Sequence, residues 1–310
     1  MTVFIKRRNM YDIIIIGAGP AGLTAAIYAL RAGKKVLVIE KEVFGGQINY
    51  SPCVENYPGF SKISGAEFAE NLLTQAMEQG LETDFGEVTQ ITDGKTKTIV
   101  TADNSYECKS VIIATGARHR HLGVDGEDKF AGRGVSYCAV CDGAFFKGKR
   151  VAVVGGGDAS LQDAIFLSER CSTVYVIHRR NSFRAEERLV KTLEKRENVS
   201  FVLDTVAEEL VGNAKLEAVK VRNVNTGKSD TIEIDGLFIA VGQEPQNKEF
   251  ANLIKLDAYG YADSGEDCKT STAGVFVAGD CRKKEVRQLT TAASDGAVAA
   301  ICAVNYINGL

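Results

Sequence analysis

The sequence predicts an α/β protein of two Rossmann-like dinucleotide-binding domains, each a three-layer ββα unit, with one domain inserted in the other. Three observations predict it: a glycine turn between two apolar strands near the N-terminus, a second copy of that pattern further along, and a strand-like return segment after each copy.

The first copy is "YDIIIIGAGPAGLTAAIYALRAGKKVLVIE", Tyr11 to Glu40: an apolar strand, a glycine turn, a helix-period segment and a second apolar strand. Gly17 permits the tight turn, Gly19 lets a pyrophosphate approach the backbone, and Gly22 packs helix on strand. Unpaired N–H groups and the dipole at the helix start favour the anion. Glu40 ends the second strand, where a carboxylate accepts hydrogen bonds from an adenosine ribose.

The second copy is "RVAVVGGGDASLQDAIFLSERCSTVYVIHRR", residues 150 to 180. Gly155, Gly157 and Ser160 follow Gly17, Gly19 and Gly22 at a constant offset of 138 residues, and His178 follows Glu40 at the same offset. Glycines, helix and strand matching at one offset point to two related folds. The copies differ at the ribose position, where "HRRNSFR" supplies His178, Arg179, Arg180 and Arg184 in place of the acid. A 2′-phosphate calls for that positive charge, whereas the bare ribose of FAD or NAD calls for Glu40. Elsewhere in a chain, such an arginine pair is an ordinary solvated turn.

Each copy is followed by a strand ending in a small turn, "SVIIATGA" at 110–117 and "DGLFIAVGQEP" at 235–245. Both are candidate crossings, so the first domain is expected to be discontinuous, 1–116 with 246–310, around a second domain at 117–245. The closing tail carries "GVFVAGDCRKKEVRQLTTAASDGAVAA", a short strand, then Gly279 and Asp280, then an Ala-rich helix. An Asp at a strand end suits a ribityl hydroxyl, and a helix beginning near Gln288 points its N-terminus at a flavin.

Composition fits this plan. A chain of 310 residues, 45% hydrophobic and 25% charged, is long enough for two domains with their own cores. A net charge of −3 with no basic stripe argues against nucleic acid as a partner. The "IIII" run stops at glycine long before a membrane span is reached, so no membrane association is expected. The first nine residues have a basic patch but no apolar core or cleavage site, so no secretory signal is expected, and Met10 is an alternative start to Met1. Eight cysteines are too sparse for a disulfide scaffold, which makes a reducing cytoplasm the default.

Two of those cysteines stand in "YCAVCDG". A structural zinc needs a second Cys or His pair at short spacing, and none follows. A static disulfide three residues apart closes too small a loop to remove much unfolded-state entropy. A redox dithiol fits better: N–H groups and the dipole at a helix start stabilise a thiolate, lowering the pKa of the more exposed sulfur and making it the nucleophile, and the second sulfur resolves the mixed disulfide. Asp142 follows directly, placed to deliver or accept a proton, although alone it reads as an ordinary acidic residue of a first helical turn. Spacing does not distinguish the roles of Cys138 and Cys141.

In combination and order, "GAGPAG", "GGQ", "VENYPGF", "ATGA", "CAVCDG", "GGGDAS", "HRRNSFR", "AGD" and "RQLTTAASDG" resemble the low-molecular-weight, bacterial-type thioredoxin reductases, from Met10 to the C-terminus. The resemblance implies an FAD domain (1–116 and 246–310) and an inserted NADPH domain (117–245) carrying the cysteine pair. It places Gly17, Gly19, Pro20, Ala21, Gly22, Glu40, Lys41, Gly46, Gln47, Asn56, Val88, Thr115, Gly116, Gly279, Asp280, Arg287, Gln288 and Leu289 around FAD. Gly157, Asp158, Ala159, Ser160, His178, Arg179, Arg180 and Arg184 fall around NADPH. It assigns Cys141 to the sulfur facing the flavin and Cys138 to the one that attacks thioredoxin.

Three departures from the family pattern stand out. The second glycine motif ends "DAS" where Ser-Ala order is commoner; His119 replaces a proline; and Cys53 and Cys281 fall inside flavin-side motifs, as inert thiols open at most to oxidation. His119 and His121 read as solvated linker residues.

The implied activity is thioredoxin-disulfide reduction, from NADPH through FAD to Cys138 and Cys141 and on to thioredoxin or a thioredoxin-like protein, with a homodimer expected. Since the cysteine pair and the NADPH site share one domain, that domain is expected to turn between half-reactions, about hinges near Gly116 and 242–245. The rivals are a flavin-dependent dithiol oxidase and a ferredoxin-linked reductase of the same fold, for which the second glycine motif and its arginines have no purpose. A peroxiredoxin-system flavoprotein is expected to carry a further N-terminal redox domain, and a nucleotide-sensing or scaffold flavoprotein has no need of C-x-x-C.

Overall fold

The isoleucine run of the first motif is buried without alternation, Ile13, Ile14 and Ile15 each being fully inaccessible, as a central parallel strand covered on both faces must be. It belongs to β1 (Met10–Ile16), followed by α1 (Pro20–Arg31) and the wholly buried β2 (Val36–Glu40). The computed structural model describes residues 10–310; the basic N-terminal stretch lies outside the described residues. Proline opens α1 at a position whose N–H would have no helical partner. Next come α2 (Gly65–Met77), capped by Ser64, and β3 (Glu82–Phe85), β4 (Val88–Thr92), β5 (Lys97–Thr101) and β6 (Ser105–Ile113). The chain then crosses in β7 (Ala117–His119).

The segment that follows runs α3 (Glu127–Phe130), β8 (Val135–Ser136), α4 (Ala139–Asp142), β9 (Arg150–Val154), α5 (Asp158–Ser168), β10 (Thr173–Ile177) and α6 (Glu187–Glu194). It continues with β11 (Val199–Val202), β12 (Thr205–Gly212), β13 (Leu216–Asn223), β14 (Ser229–Glu233) and β15 (Gly236–Ile239). The return strand β16 (Gln243–Pro245) pairs with β7, and β17 (Val275–Val277) and α7 (Leu289–Asn308) close the chain.

Two compact units result, one from the chain through Arg118 together with Glu244–Leu310, the other His119–Gln243. In the first, β3-β2-β1-β6 are parallel, β17 joins β6, and β5 and β4 continue from β6 antiparallel. Helices α1 and α7 cover one face, around Ile13, Ile15, Val36 and Val38. Residues of β4, β5 and 250–254 cover the other, around Ile14, Leu37 and Val111. Where α7 meets α1, a Cβ at Gly296 would stand 2.1 Å from the Ala21 carbonyl oxygen, so only glycine permits that approach.

The second unit has a parallel sheet, β11-β10-β9-β15-β8, with α5 and α6 on one face and the antiparallel β12-β13-β14 on the other. Both units are therefore three-layer ββα folds. Their turns match in detail: Gly17 N–H donates to the Ile39 carbonyl, and 138 residues on Gly155 N–H donates to that of Ile177. Among the described residues no helix is long and apolar enough to cross a membrane.

Candidate functional site

In the first unit the glycine turn is fixed by close backbone approaches. Gly17 has φ +103°, and a Cβ there would lie 2.4 Å from the Ala114 carbonyl oxygen; a Cβ at Gly22 would lie 1.9 Å from that of Gly17. Gly19 alone of the three opens on free space, as a backbone that admits a pyrophosphate must. The "GGQ" loop folds over the turn: Gly45 N–H donates to the Ala18 carbonyl (2.8 Å), and Gly46, at φ +64°, brings its Cβ direction within 3.2 Å of the Gly19 Cα. Gln47 Nε2 donates to the Ala117 carbonyl.

Glu40 is buried and accepts from the Ala18 N–H at 2.7 Å, the Lys41 N–H at 2.9 Å and the Glu42 N–H at 2.8 Å. A carboxylate offers about four acceptor sites, so a ribose hydroxyl can still be received. The Lys41 side chain points instead to Glu87 at 3.0 Å. Val88 packs its side chain into the core, which leaves its backbone to meet a ligand.

At the end of β17, Asp280 Oδ1 is buried with no hydrogen-bond partner. Burial raises the Asp280 pKa, against the nearby charges of Lys284 and Arg287. An unsatisfied buried oxygen costs about 1–3 kcal/mol, and a ligand hydroxyl donating to it removes that cost. Gly116 and Gly279 take φ +67° and +81° on either side of this corner. Arg287 stacks over Tyr261, and Gln288 caps α7 reciprocally with Thr291, its side-chain Oε1 also accepting from Asn56 Nδ2 at 3.2 Å. Leu289 packs with Val54, Ile63 and Phe68. The donor set, glycine cradle and orphaned acid fit a flavin dinucleotide.

In the second unit the same turn is finished differently. Gly157 opens on free space, whereas a Cβ at Gly156 would strike the His178 ring at 2.1 Å. His178 is buried, stacked on Phe183 (ring centroids 5.3 Å apart), with Nε2 at 3.2 Å from the Ser182 carbonyl oxygen. Burial, together with Arg179, Arg180 and Arg184, lowers its pKa. His178 thus supplies packing where the sequence suggested charge. Arg179, Arg180 and Arg184 are exposed, and among the described residues no ion pair engages them. Asp158 ties their loop down by accepting from the Glu186 N–H at 2.7 Å, and Arg184 N–H donates to the Gly156 carbonyl at 2.8 Å. Ala159 and Ser160 begin α5 behind it, Ser160 bonding back to the Gly157 carbonyl at 2.7 Å.

The cysteine pair lies just past β8, on the same sheet and at the same, C-terminal, end of its strands. Cys138 and Cys141 form a disulfide, with Cα atoms 5.3 Å apart. Cys138 is the N-cap of the α4 turn and its Sγ accepts from the Cys141 N–H at 3.2 Å. Cys141 is the more exposed of the two and Cys138 half-buried. Exposure by itself points to Cys141 as the attacking sulfur, whereas the N–H donated to Cys138 Sγ would stabilise a thiolate there once the disulfide is reduced. Asp142 receives the Ser136 hydroxyl at 2.6 Å, and burial raises its pKa against that bond.

Residues 11–296 match the family model described as pyridine nucleotide-disulphide oxidoreductase. The chain belongs to the pyridine nucleotide-disulphide oxidoreductase family. Within it, the thioredoxin reductase of Listeria monocytogenes is 43% identical over 307 residues, 98% of this chain and 96% of that one. The thioredoxin reductase structure from Streptococcus pyogenes superposes with a TM-score of 0.94 at 42% identity, covering 97% of this chain and 99% of that one. A ferredoxin-flavin thioredoxin reductase from Clostridium acetobutylicum is similar at 32% identity and a TM-score of 0.53, covering 97% and 99%.

The family's motifs do not reveal every residue that shapes these turns. Asn247 is fully buried, donates to the carbonyls of Gly260 and Cys281 and accepts from Thr115 Oγ1. Asp295 on α7 accepts from the Gly279 N–H at 3.0 Å and pairs with Arg282 and Lys284, each at 2.8 Å. Burial would push Asp295 up, but those two cations hold its carboxyl below the usual range. His119 is not a solvated linker residue: it stacks on Tyr137 (5.2 Å), and burial pushes its pKa down to about 4. His121 is exposed and lies 3.2 Å from both the Tyr137 hydroxyl and Glu127. Cys281 is buried, directed at the carbonyls of Ile113 and Ala278, and burial raises its pKa, as expected of an inert thiol.

Proposed function

We propose that this oxidoreductase is an NADPH-dependent thioredoxin-disulfide reductase, with FAD held by the first unit and NADPH by the second. The observation that carries the reading is the Cys138–Cys141 disulfide beside an arginine-marked glycine turn on one unit, with a carboxylate-marked turn on the other. Glu40 would take the adenosine ribose of FAD, Gly19 its pyrophosphate, and Asp280 a ribityl hydroxyl. Arg179, Arg180 and Arg184 would take the 2′-phosphate of NADPH. A flavin held this way supplies two-electron transfer between nicotinamide and disulfide.

The chain's own part begins when the disulfide is reduced to two thiols. Cys138, steadied as a thiolate by the Cys141 N–H, attacks the partner's disulfide; Cys141 then attacks Cys138 Sγ and re-forms the intramolecular bond. Asp142, whose pKa burial raises, gives its proton to the departing sulfur. Over the cycle, NADPH and one proton from solvent convert a protein disulfide to two thiols and leave NADP⁺.

Because disulfide and arginines share one unit and the flavin site belongs to the other, the inserted unit presents two different parts of itself in turn. Gly116 and Gly242, at φ +67° and +113° beside the paired β7 and β16, are the hinges of this reading. An engineered disulfide that locks the units should stop turnover with thioredoxin. A homodimer in the cytoplasm, with a thioredoxin or thioredoxin-like protein as partner, completes the proposal.

A ferredoxin-linked enzyme is the rival that structural likeness brings in, and a dithiol oxidase is the other. Neither has a use for three arginines aimed at a 2′-phosphate. The test is NADPH oxidation by the holoenzyme with oxidised thioredoxin, repeated with reduced ferredoxin in place of NADPH, with oxygen as sole acceptor, and with Cys138→Ser and Cys141→Ser. Thioredoxin-dependent NADPH oxidation lost in both variants supports the reading; turnover driven by ferredoxin alone, or indifferent to thioredoxin and both cysteines, rejects it.

A further inference from the structure

The reading of Asp142 as proton donor leaves open what holds its carboxyl in register with the sulfurs. Ser136, two residues before the pair, is buried at the end of β8, where it is fixed by register against Phe238 of β15. Its hydroxyl makes three contacts: it donates to Asp142 Oδ2 at 2.6 Å, accepts from the Cys138 N–H at 3.1 Å, and lies 3.3 Å from the Cys138 carbonyl oxygen. That carbonyl also accepts from the Asp142 N–H at 3.1 Å. One hydroxyl therefore touches the acid and both backbone polar groups of the first cysteine.

A hydroxyl has one proton to donate. Toward a carboxylate it must point at Asp142. Once Asp142 is protonated, the acid's own O–H can donate to Ser136 Oγ, and the serine proton is released to the Cys138 carbonyl, already within reach. The Cys138 N–H keeps its acceptor in both arrangements.

We infer that Ser136 is a positioning residue for disulfide reduction, a hydroxyl rotor that holds the Asp142 carboxylate after proton donation and swings to the Cys138 carbonyl when Asp142 is reprotonated. The inference rests on the proposed role of Asp142. In the step it serves, the Cys138 thiolate forms a bond to one partner sulfur, the partner's S–S bond breaks, and the departing sulfur takes the Asp142 proton. The carboxylate so formed accepts the Ser136 hydroxyl.

Helix α5, packed against the α4 turn, carries Asp158 and Asp163, the latter pushed up to about 7 by burial, and the segment after the turn carries Lys147 and Lys149; at Asp142 itself burial raises the pKa and the Ser136 bond lowers it. The thiols of Cys138 and Cys141 become titratable neighbours once reduced.

The test uses the holoenzyme. Ser136→Ala removes a bond to the carboxylate, so the alkaline limb of kcat/KM for thioredoxin should move up by about one pH unit, and Ser136→Thr should restore it. The pH dependence of alkylation of the two-electron-reduced enzyme, read without turnover, should shift in the same sense. In an Asp142→Asn background, Ser136→Ala should move neither profile further. A uniform loss at every pH that threonine does not rescue, or an unmoved limb, overturns the rotor. If Asp142→Asn itself leaves thioredoxin reduction and its pH profile unchanged, the reading of Asp142 fails and the rotor with it, a result separable from a Ser136 failure alone.

Discussion

The two glycine turns share backbone hydrogen bonds residue for residue at the 138-residue offset, yet the side chain that ends the second strand does opposite work in each. Glu40 reaches back and gathers three backbone N–H groups, leaving acceptor capacity for a ribose. His178 lies flat over Gly156, stacked and desolvated, while three exposed arginines, the proposed recognising groups, stand on the loop beyond it. On the proposed function, one strand–turn–helix frame is retuned by moving the recognising group from the strand end to the loop.

The comparison breaks most completely at the disulfide, which only the second unit carries. Cys138→Ser or Cys141→Ser should abolish thioredoxin reduction, a loss of at least about a thousandfold, while rapid-mixing spectroscopy still shows flavin reduction by NADPH. Next in size is the third motif position. Gly22→Ser puts a Cβ about where the Gly17 carbonyl stands, and should cost about 3 kcal/mol with loss of bound flavin, read by thermal melting and flavin absorbance. Ser160 already occupies the equivalent place, and Ser160→Gly should cost only about 1 kcal/mol.

Asp142 gives a pH signature that neither strand end can give. Burial raises its pKa above the ordinary carboxylate value, and the donating form is the protonated one, so thioredoxin reduction should fall as pH rises through that pKa. Asp142→Asn should remove the limb and lower the rate roughly a hundredfold, read from kcat/KM against pH. The smallest effect is expected at His119→Pro, which removes a stacked ring from Tyr137 and should destabilise by about 1 kcal/mol, read from the denaturant midpoint.

Much of this was legible in the sequence for a physical reason: a turn that must admit a pyrophosphate can be built only with glycines at fixed spacing, so Gly17, Gly19, Gly155 and Gly157 announce themselves. The cysteine pair and the arginines are likewise local. Asn247, Asp295 and Ser136 were not legible, because they act on backbone atoms that the fold brings to them; Thr115 and Asn247 are 132 residues apart. The burial of His178 was not legible, because a histidine followed by two arginines looks cationic until its ring is found over a glycine. His119 misled, since nothing local shows Tyr137 beneath it.

The central claim, that the arginine loop and not the strand end selects the nucleotide of the second unit, is tested most directly by anaerobic flavin reduction with NADPH and with NADH, in the native enzyme and in Arg179→Ala/Arg180→Ala. The account predicts that the double variant loses about two orders of magnitude in apparent affinity for NADPH, with NADH almost unchanged. A preference for NADPH that survives the loss of both arginines would contradict it.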